Sequence, residues 1–110
     1  MEPRFFVIMT TLDNEQNAKE LARRIVEEKL SRCVQIIPGL ISVYHWENKI
    51  HEDPEFLLLI KLPKANLESA LELIPRWHPY EVPELIALPV KVGHDPYLQW
   101  LGDWKYKQSP

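Results

Sequence analysis

Several features that would narrow the function at once are scarce in this chain of 110 residues. Cys33 is the single cysteine, so no internal disulfide can form, and a lone thiol is typical of a protein from a reducing compartment. With only three glycines, the chain carries no glycine-rich phosphate loop and no nucleophile elbow. Neither a disulfide-stabilised domain nor a nucleotide-hydrolysing loop is therefore expected.

Positive charge and long apolar runs are also missing. The net charge is −3, and no basic patch with interleaved aromatic residues is visible along the sequence, so nucleic acid is not an expected partner. The longest apolar run, 56–60, is far too short to span a membrane. The start, MEPRFFVIMT, lacks the basic region and cleavage site of a signal peptide. We expect a cytoplasmic protein without a membrane partner.

The composition is that of an ordinary globular protein, with 45% apolar and 26% charged residues. The length suits one core, so residues 1–110 are expected to form a single domain. Ten prolines stand against the three glycines, which indicates joints that are rigid rather than flexible.

Hydrophobic periodicity predicts four strands and three helices. A helix is predicted to start at Asp13, with Gln16 completing a capping pattern, and to run to about Leu30. Pro63 opens a second helix, which Pro75 should end or bend. Glu47-Asn48 is predicted to form a hairpin turn. The predicted strands are 4–11, 32–46 with an interruption at Pro38-Gly39, 49–62 and 85–92, and the last helix is 96–104.

The order β-α-β-β-α-β plus a short helix predicts an α+β fold. It is the ferredoxin-like split β-α-β sandwich, with one antiparallel sheet and two helices on one face. The strands are apolar at most positions, and a sheet that is apolar on both faces must be covered on both. The chain has no further helix large enough for this, so we expect oligomerisation through the open sheet face or the long hairpin.

The segment RWHPYEVPEL, residues 76–85, combines reactive side chains with two prolines. Pro79 and Pro83 predict a stiff connector between the second helix and the fourth strand. His78 and Glu81 could both reach a divalent ion, since imidazole suits copper, zinc and nickel. The structural alternative is equally open: His78 caps the preceding helix, where a cation is favoured, and Glu81 hydrogen-bonds across a subunit boundary.

Cys33 also has two interpretations. Most free cysteines are small buried hydrophobic residues, which is the more common outcome at the start of a strand. A thiolate is, however, a soft ligand that suits Cu(I). Spacing alone does not decide between the two, because the sequence contains no Cys-x-x-Cys or His-x-x-x-His pattern.

The motifs, taken together and in order, resemble the CutA family of divalent-cation tolerance proteins. The matching segments are RCVQIIPG at 32–39, SVYHW at 42–46, LLLIK at 57–61, HPYEVPEL at 78–85 and YLQW at 97–100. The resemblance implies a homotrimer of ferredoxin-like subunits whose hairpins reach across to neighbours. It also implies a role in tolerance to copper and other divalent cations, with Cys33, His78 and Glu81 in a cleft between subunits.

The remaining candidates are assigned to packing or to the walls of that cleft. Tyr80 and Trp100 are expected to pack structurally, with a partner for the Tyr80 hydroxyl, and Trp46 reads as an interface aromatic residue. Lys61 is either a counter-charge for an anion or, preferably, a solvated strand end. The chain departs from the family pattern at two positions that the resemblance places in the cleft, Gln35 and Leu62, and at Pro75, which should shorten the second helix.

No arrangement of nucleophile and base is evident, and the chain is not expected to be an enzyme. Two further functions stay open beside cation binding. One is a small-molecule sensor of the PII type, by analogy of fold alone. The other is a purely structural trimeric scaffold.

Overall fold

The computed structural model describes residues 2–104 and 106. Within them the elements in chain order are β1 (Phe5–Leu12), α1 (Glu15–Glu27), β2 (Cys33–Trp46), β3 (Lys49–Pro63), α2 (Lys64–Trp77), β4 (Ile86–Pro89) and α3 (Asp95–Gly102). The strands form one antiparallel sheet in the order β2-β3-β1-β4. The predicted ferredoxin-like fold is confirmed, including the short third helix.

One face of the sheet packs against α1 and α2 to form the core. Alternate residues of the central strands point to this face, among them Ile8 and Ile60, which are opposite each other and fully buried. They contact the apolar stripe of α1, which buries Ala18 and Ile25 completely. Helices α1 and α2 cover this face alone, because each has a single apolar stripe.

The other side, which we call the open face, carries the remaining alternate residues. Across the strands they form three rows, in the order Leu88-Val7-Lys61-Cys33, Ile86-Met9-Leu59-Gln35 and Thr11-Leu57-Ile37. Most of these side chains are apolar, yet Ile37, Ile86 and Leu88 remain 43%, 49% and 47% exposed. Helix α3 lies against one end of this face, where Gly102 approaches the Phe5 ring and Tyr97 lies near Lys61. The described residues leave the rest of the apolar face uncovered, as the sequence predicted.

The β2-β3 hairpin extends beyond the end of β1. Glu47 and Asn48 form its turn with φ of 50° and 62°, both positive as a two-residue type I′ turn requires. The register shifts between Ile37 and Leu40, and Gly39 adopts φ 81° there. The predicted turn and the predicted irregularity at Pro38-Gly39 are both confirmed.

Helix α1 differs from the prediction at both ends. Its N-cap is Asn14, whose Oδ1 accepts a hydrogen bond of 2.7 Å from the Asn17 amide, so the predicted start at Asp13 was one residue early. The helix stops at Glu27 instead of Leu30, because Lys29 takes a left-handed conformation with φ 64°. The amides of Lys29 and Leu30 bond back to Val26 and Ile25, which forms a Schellman motif without glycine.

Helix α2 does not end at Pro75, so the predicted shortening was wrong. The helix continues to Trp77, and the His78 amide still bonds to the Ile74 carbonyl at 2.9 Å. Pro75 lies in the last turn and removes only its own amide, whose acceptor would have been the carbonyl of half-exposed Leu71. Because the helix ends two residues later, the proline interrupts only this last turn.

Strand β4 and helix α3 are shorter than predicted. Strand β4 covers four residues and ends at Pro89, which has no amide to donate to the sheet. Helix α3 ends at Gly102, so Trp104 lies beyond it. Among the described residues, none of the helices has the length and apolar character needed to cross a bilayer.

Candidate functional site

An acidic concavity lies between the hairpin and the connector that joins α2 to β4. Its volume is about 930 Å³, and none of its described lining residues is Lys, Arg or His. Six carboxylates line it, from Asp13, Glu47, Asp53, Glu55, Glu81 and Glu84. The surface therefore attracts cations and repels anions.

Glu55 connects the two walls of this acidic concavity. The residue is 9% exposed, and its carboxylate accepts hydrogen bonds from Ser42 Oγ at 2.6 Å and from Tyr80 Oη at 2.7 Å. Ser42 belongs to the hairpin and Tyr80 to the connector, so one buried carboxylate holds both. Burial, and then the hydrogen bond to Glu55, raise the pKa of Tyr80, which keeps its hydroxyl a donor. The sequence predicted that the Tyr80 hydroxyl needs a partner, and this partner is Glu55.

His78 is the C-cap of α2 and is only 6% exposed. One ring nitrogen, Nε2, lies 3.0 Å from the Thr11 carbonyl oxygen, and the other, Nδ1, accepts the Tyr80 amide at 3.1 Å. The Tyr80 ring also packs edge-on against the imidazole, with centroids 4.7 Å apart. Both nitrogens are thus in use in the single chain, and His78 ties the connector to β1.

His78 caps α2, as predicted, but it does so as a neutral ring and not as the predicted cation. Burial lowers the pKa of His78, and the bond to Thr11 and the carboxylates of Glu55 and Asp13 offset this only in part. With Nδ1 accepting a hydrogen bond, the ring is in its neutral form. Its hydrogen bonds and packing, rather than a charge at the helix end, explain its position.

Cys33 lies at the opposite end of the open face. It is a free, half-buried thiol in the same row as Lys61. The pKa of the nearby Tyr97 rises to about 12, through burial and through hydrogen bonding to Cys33. Cys33 is therefore partly accessible rather than sealed in the core.

The structure brings Glu81 and His78 to one end of the sheet and Cys33 to the other. Val7, in the Cys33 row, and Thr11, which His78 contacts, are four residues apart on β1, about 13 Å along the strand. Across the described ranges 2–104 and 106, no three His, Cys, Asp or Glu side chains are grouped closely enough to hold a metal ion. Within one chain the three predicted ligands do not meet.

The other predicted cleft residues fall into two groups. Gln35 is exposed on the open face, and Trp46 at the hairpin end and Trp100 on α3 are 47% and 39% exposed. Lys61 is half-buried, with Nζ 5.6 Å from the centre of the Tyr97 ring. Leu62 is fully buried in the helix-covered core, and its expected place in the cleft was wrong, because it points away from the open face.

Sequence reasoning missed Glu55 and the hydroxyl groups bound to it. A second such contact joins Tyr44 Oη to Asp53 at 2.7 Å, across the hairpin. The available signal was a carboxylate directly before the apolar run 56–60, which is unusual at the entrance to a buried strand. The partners themselves depend on the register of the hairpin, which the sequence does not give.

The sheet order, the open apolar face and the long projecting hairpin place the chain among the ferredoxin-like α+β proteins. Comparison with known sequences then identifies the family. The model of the family "CutA1 divalent ion tolerance protein" matches residues 6–103, and the chain belongs to this CutA1 family.

Several relatives are close. The chain is 42% identical to the divalent-cation tolerance protein CutA of Thermus thermophilus over 95 residues, 86% of this chain and 92% of that one. It is 48% identical to the chloroplastic protein CutA of Arabidopsis thaliana, again over 86% of this chain. The chain spans about half of the Arabidopsis protein, 52% of its length. Its fold matches the crystal structure of CutA1 from Shewanella with a TM-score of 0.90 and 37% identity, covering 97% of this chain and all of that one.

Proposed function

We propose that the protein is a homotrimer that binds divalent cations, copper among them, and acts in divalent-cation tolerance. The acidic concavity carries this proposal: six carboxylates line it, and none of its described lining residues is basic. Hard divalent cations favour carboxylate oxygen, and copper also accepts it. The names of the bacterial relatives, divalent-cation tolerance proteins, support the same role. The proposed activity is binding rather than catalysis, in the cytoplasm.

Glu81 and Cys33 are the two predicted ligands that are accessible. Glu81 is exposed within the acidic concavity, and Cys33 is half-buried at the far end of the open face. Since the two lie at opposite ends of one sheet, one ion can contact both only if different subunits supply them. A cleft between subunits is therefore the site we propose.

His78 is the third proposed ligand, and it has a structural alternative. Its Nδ1 lone pair is directed at the Tyr80 amide, so His78 can bind a metal only after this hydrogen bond opens. If the bond stays closed, His78 instead fixes the connector that carries Glu81. The two roles differ in what a substitution does: a ligand affects affinity first, and a structural residue affects stability first.

Exposed apolar side chains support the trimer. On the hairpin, Ile41, Val43 and Ile50 are 68%, 64% and 74% exposed. These three side chains share one side of the hairpin, opposite to the open face that carries Ile37, and as a group they are larger than isolated exposed residues would be. Burying this surface against neighbouring copies would remove it from water, with a gain of about 25 cal/mol for each Å².

Calorimetric titration with Cu(II) and Zn(II) tests the site, with Cu(I) added under reducing conditions. We expect Glu81→Gln to raise the dissociation constant for Cu(II) about tenfold or more, since it removes a charged ligand. Cys33→Ser should weaken Cu(I) more than Zn(II), because thiolate is the softer donor. The matched control is Glu72→Gln on the exposed face of α2, which should leave all three affinities unchanged.

The outcomes separate the candidate functions. Equal affinities in Cys33→Ser, Glu81→Gln and the control would reject the site. Absence of any cation binding by an intact trimer would reject the proposed function and favour the structural scaffold. Because the acidic concavity repels anions, a sensor of the PII type would need its anion site elsewhere on the chain.

A further inference from the structure

Three cations near the start of β2 have aromatic rather than acidic neighbours. They are Lys29, Arg32 and Lys61, and the rings belong to Tyr97, Trp100 and Trp104. We call these six side chains the cation–aromatic array. Its members come from the end of α1, the start of β2, the end of β3 and the α3 region, so no local stretch of sequence shows it.

Arg32 is the centre of the array. Its guanidinium carbon lies 4.6 Å from the Trp100 ring centre and 5.1 Å from that of Trp104. One terminal nitrogen donates to the Trp100 carbonyl at 3.0 Å. The group is thus held between two indoles with one of its five donors in use, and the others keep a fixed direction.

Lys61 and Lys29 extend the positive charge on either side. Lys61 Nζ lies 5.6 Å from the centre of Tyr97, whose ring is 5.7 Å from that of Trp100. Lys29 Nζ lies 5.8 Å from the centre of Trp104 on the other side. Lys29 is exposed, and Tyr97 and Trp100 are 36% and 39% exposed, so solvent and small solutes reach the array.

The cations of the array differ from those cations of the helices that pair with a carboxylate. On the helices, Lys19, Arg23 and Arg76 each pair with a carboxylate four residues away. Among the described residues, no carboxylate lies within 4.0 Å of the cationic groups of Lys29, Arg32 or Lys61. A protein of net charge −3 therefore keeps uncompensated positive charge at one end of its sheet.

We infer that the cation–aromatic array is a binding site for a small dianion, a phosphate group borne by a small molecule. A guanidinium held in one orientation matches the oxygen pairs of phosphate, and Lys61 and Lys29, which lie over neighbouring rings, add positive charge to the same surface. The exposed rings of Tyr97 and Trp100 offer apolar surface to a planar group attached to that phosphate. The array lies beside Cys33, which is near Tyr97, but it contains none of the three proposed cation ligands, so the inference does not depend on cation binding.

Calorimetric titration of the 110-residue chain at pH 8 tests the inference, with a chelator present and sodium chloride holding the ionic strength constant. The probes are inorganic phosphate and phenyl phosphate. We expect both to bind saturably, and phenyl phosphate more tightly because its ring contacts the exposed aromatic side chains. Arg32→Gln and Lys61→Gln should each raise the dissociation constants about tenfold or more, as loss of a charged hydrogen-bond donor does.

Two controls keep the test decisive. Arg23→Gln removes an exposed arginine that pairs with Glu27 on α1, and it should leave both affinities unchanged. Arg32→Gln also removes the contacts of Arg32 with Trp100 on α3. Lys61→Gln keeps those contacts and therefore serves as the second variant. Thermal unfolding checks that each variant is folded. If phosphate binds no better than chloride, or if Arg23→Gln weakens binding as much as Lys61→Gln, the inference is wrong.

Discussion

At the scale of single residues, the connector is organised by two buried polar groups, His78 and Glu55. His78 links the connector to β1 through the Thr11 carbonyl, and Glu55 links it to the hairpin through Tyr80. Neither buried group pairs with an opposite charge in the described residues; hydroxyl, amide and carbonyl groups satisfy both. Buried polar groups whose hydrogen bonds are satisfied in this way hold the connector in one conformation. Protonation of such a group would disturb that conformation.

The lowered pKa of His78 predicts a stability that depends on pH. The unfolded chain, with an ordinary histidine pKa near 6.5, takes up a proton before the folded chain does, so stability falls as pH drops below about 6.5 and is fully present above it. The contribution to the slope is at most about 1.4 kcal/mol per pH unit for one proton. Urea unfolding of wild type and His78→Gln between pH 5 and 8, at fixed protein concentration, measures it.

The variant should lack this part of the slope, whatever its absolute stability. His94→Gln is the matched control, because His94 is exposed and its side chain makes no capping bond at the start of α3. It should retain the wild-type slope. A wild-type profile that is flat between pH 5 and 7, or an unaltered slope in His78→Gln, would contradict the assignment of the neutral imidazole.

At the scale of elements, Asn66 is the main polar link between helices and the chain end. It lies in the first turn of α2 and is 1% exposed. Its Nδ2 donates to the carbonyls of Leu30 and Trp104 at 3.0 and 3.1 Å, and its Oδ1 accepts the Tyr106 amide at 2.9 Å. One side chain thus joins the end of α1, the start of α2 and the segment after α3.

We expect Asn66→Ala to lower the free energy of unfolding by about 3 kcal/mol, since it leaves several buried backbone groups without partners. Urea denaturation at a single protein concentration checks this. Gln16→Ala on the exposed face of α1 should change the value by no more than about 0.5 kcal/mol. A loss below about 1 kcal/mol in Asn66→Ala would mean that water replaces the missing amide.

The sequence predicts elements where one physical signal dominates. The helical spacing of Ala18, Leu21 and Ile25 gave α1, and Asn48 gave the hairpin turn. The sequence-based prediction failed where tertiary context decides: Lys29 adopts positive φ without being glycine, and α2 continues through Pro75, which lies in its last turn. Local propensity is a weak guide at such positions.

The candidate site was also predictable from the sequence only in part. The stiff connector with His78 and Glu81 follows from its prolines, which constrain the backbone locally. The bonds of Glu55 to Ser42 and Tyr80 were not predictable, because they join residues 13 and 25 positions apart. The cation–aromatic array was equally hidden, since Arg32 meets Trp100 across 68 positions and only the folded sheet brings them together.

At the scale of the whole molecule, the chain is less compact than its length allows. Its radius of gyration is 14.6 Å, and its extents are 43 × 31 × 22 Å. A compact chain of this length would have a radius of about 13 Å. The projecting hairpin accounts for the excess, because β1 pairs with only the second half of β3 and leaves the hairpin end without other strands. An exposed apolar hairpin of this kind is a liability unless another chain covers it.

The proposed trimer is tested by a pair of matched substitutions, Ile37→Glu and Leu71→Glu. In the single chain Ile37 is 43% and Leu71 39% exposed, so an added carboxylate should cost a lone subunit about the same in either place. Only Ile37 lies on the open face, where the hairpin begins, and Leu71 lies on α2. Light scattering after size-exclusion chromatography should give three times the chain mass of 13.0 kDa for wild type and Leu71→Glu. Ile37→Glu should give a lower mass, since a trimer would bury its charge in an apolar contact. A trimeric Ile37→Glu, or a monomeric wild type, would show that the open face is not the assembly surface.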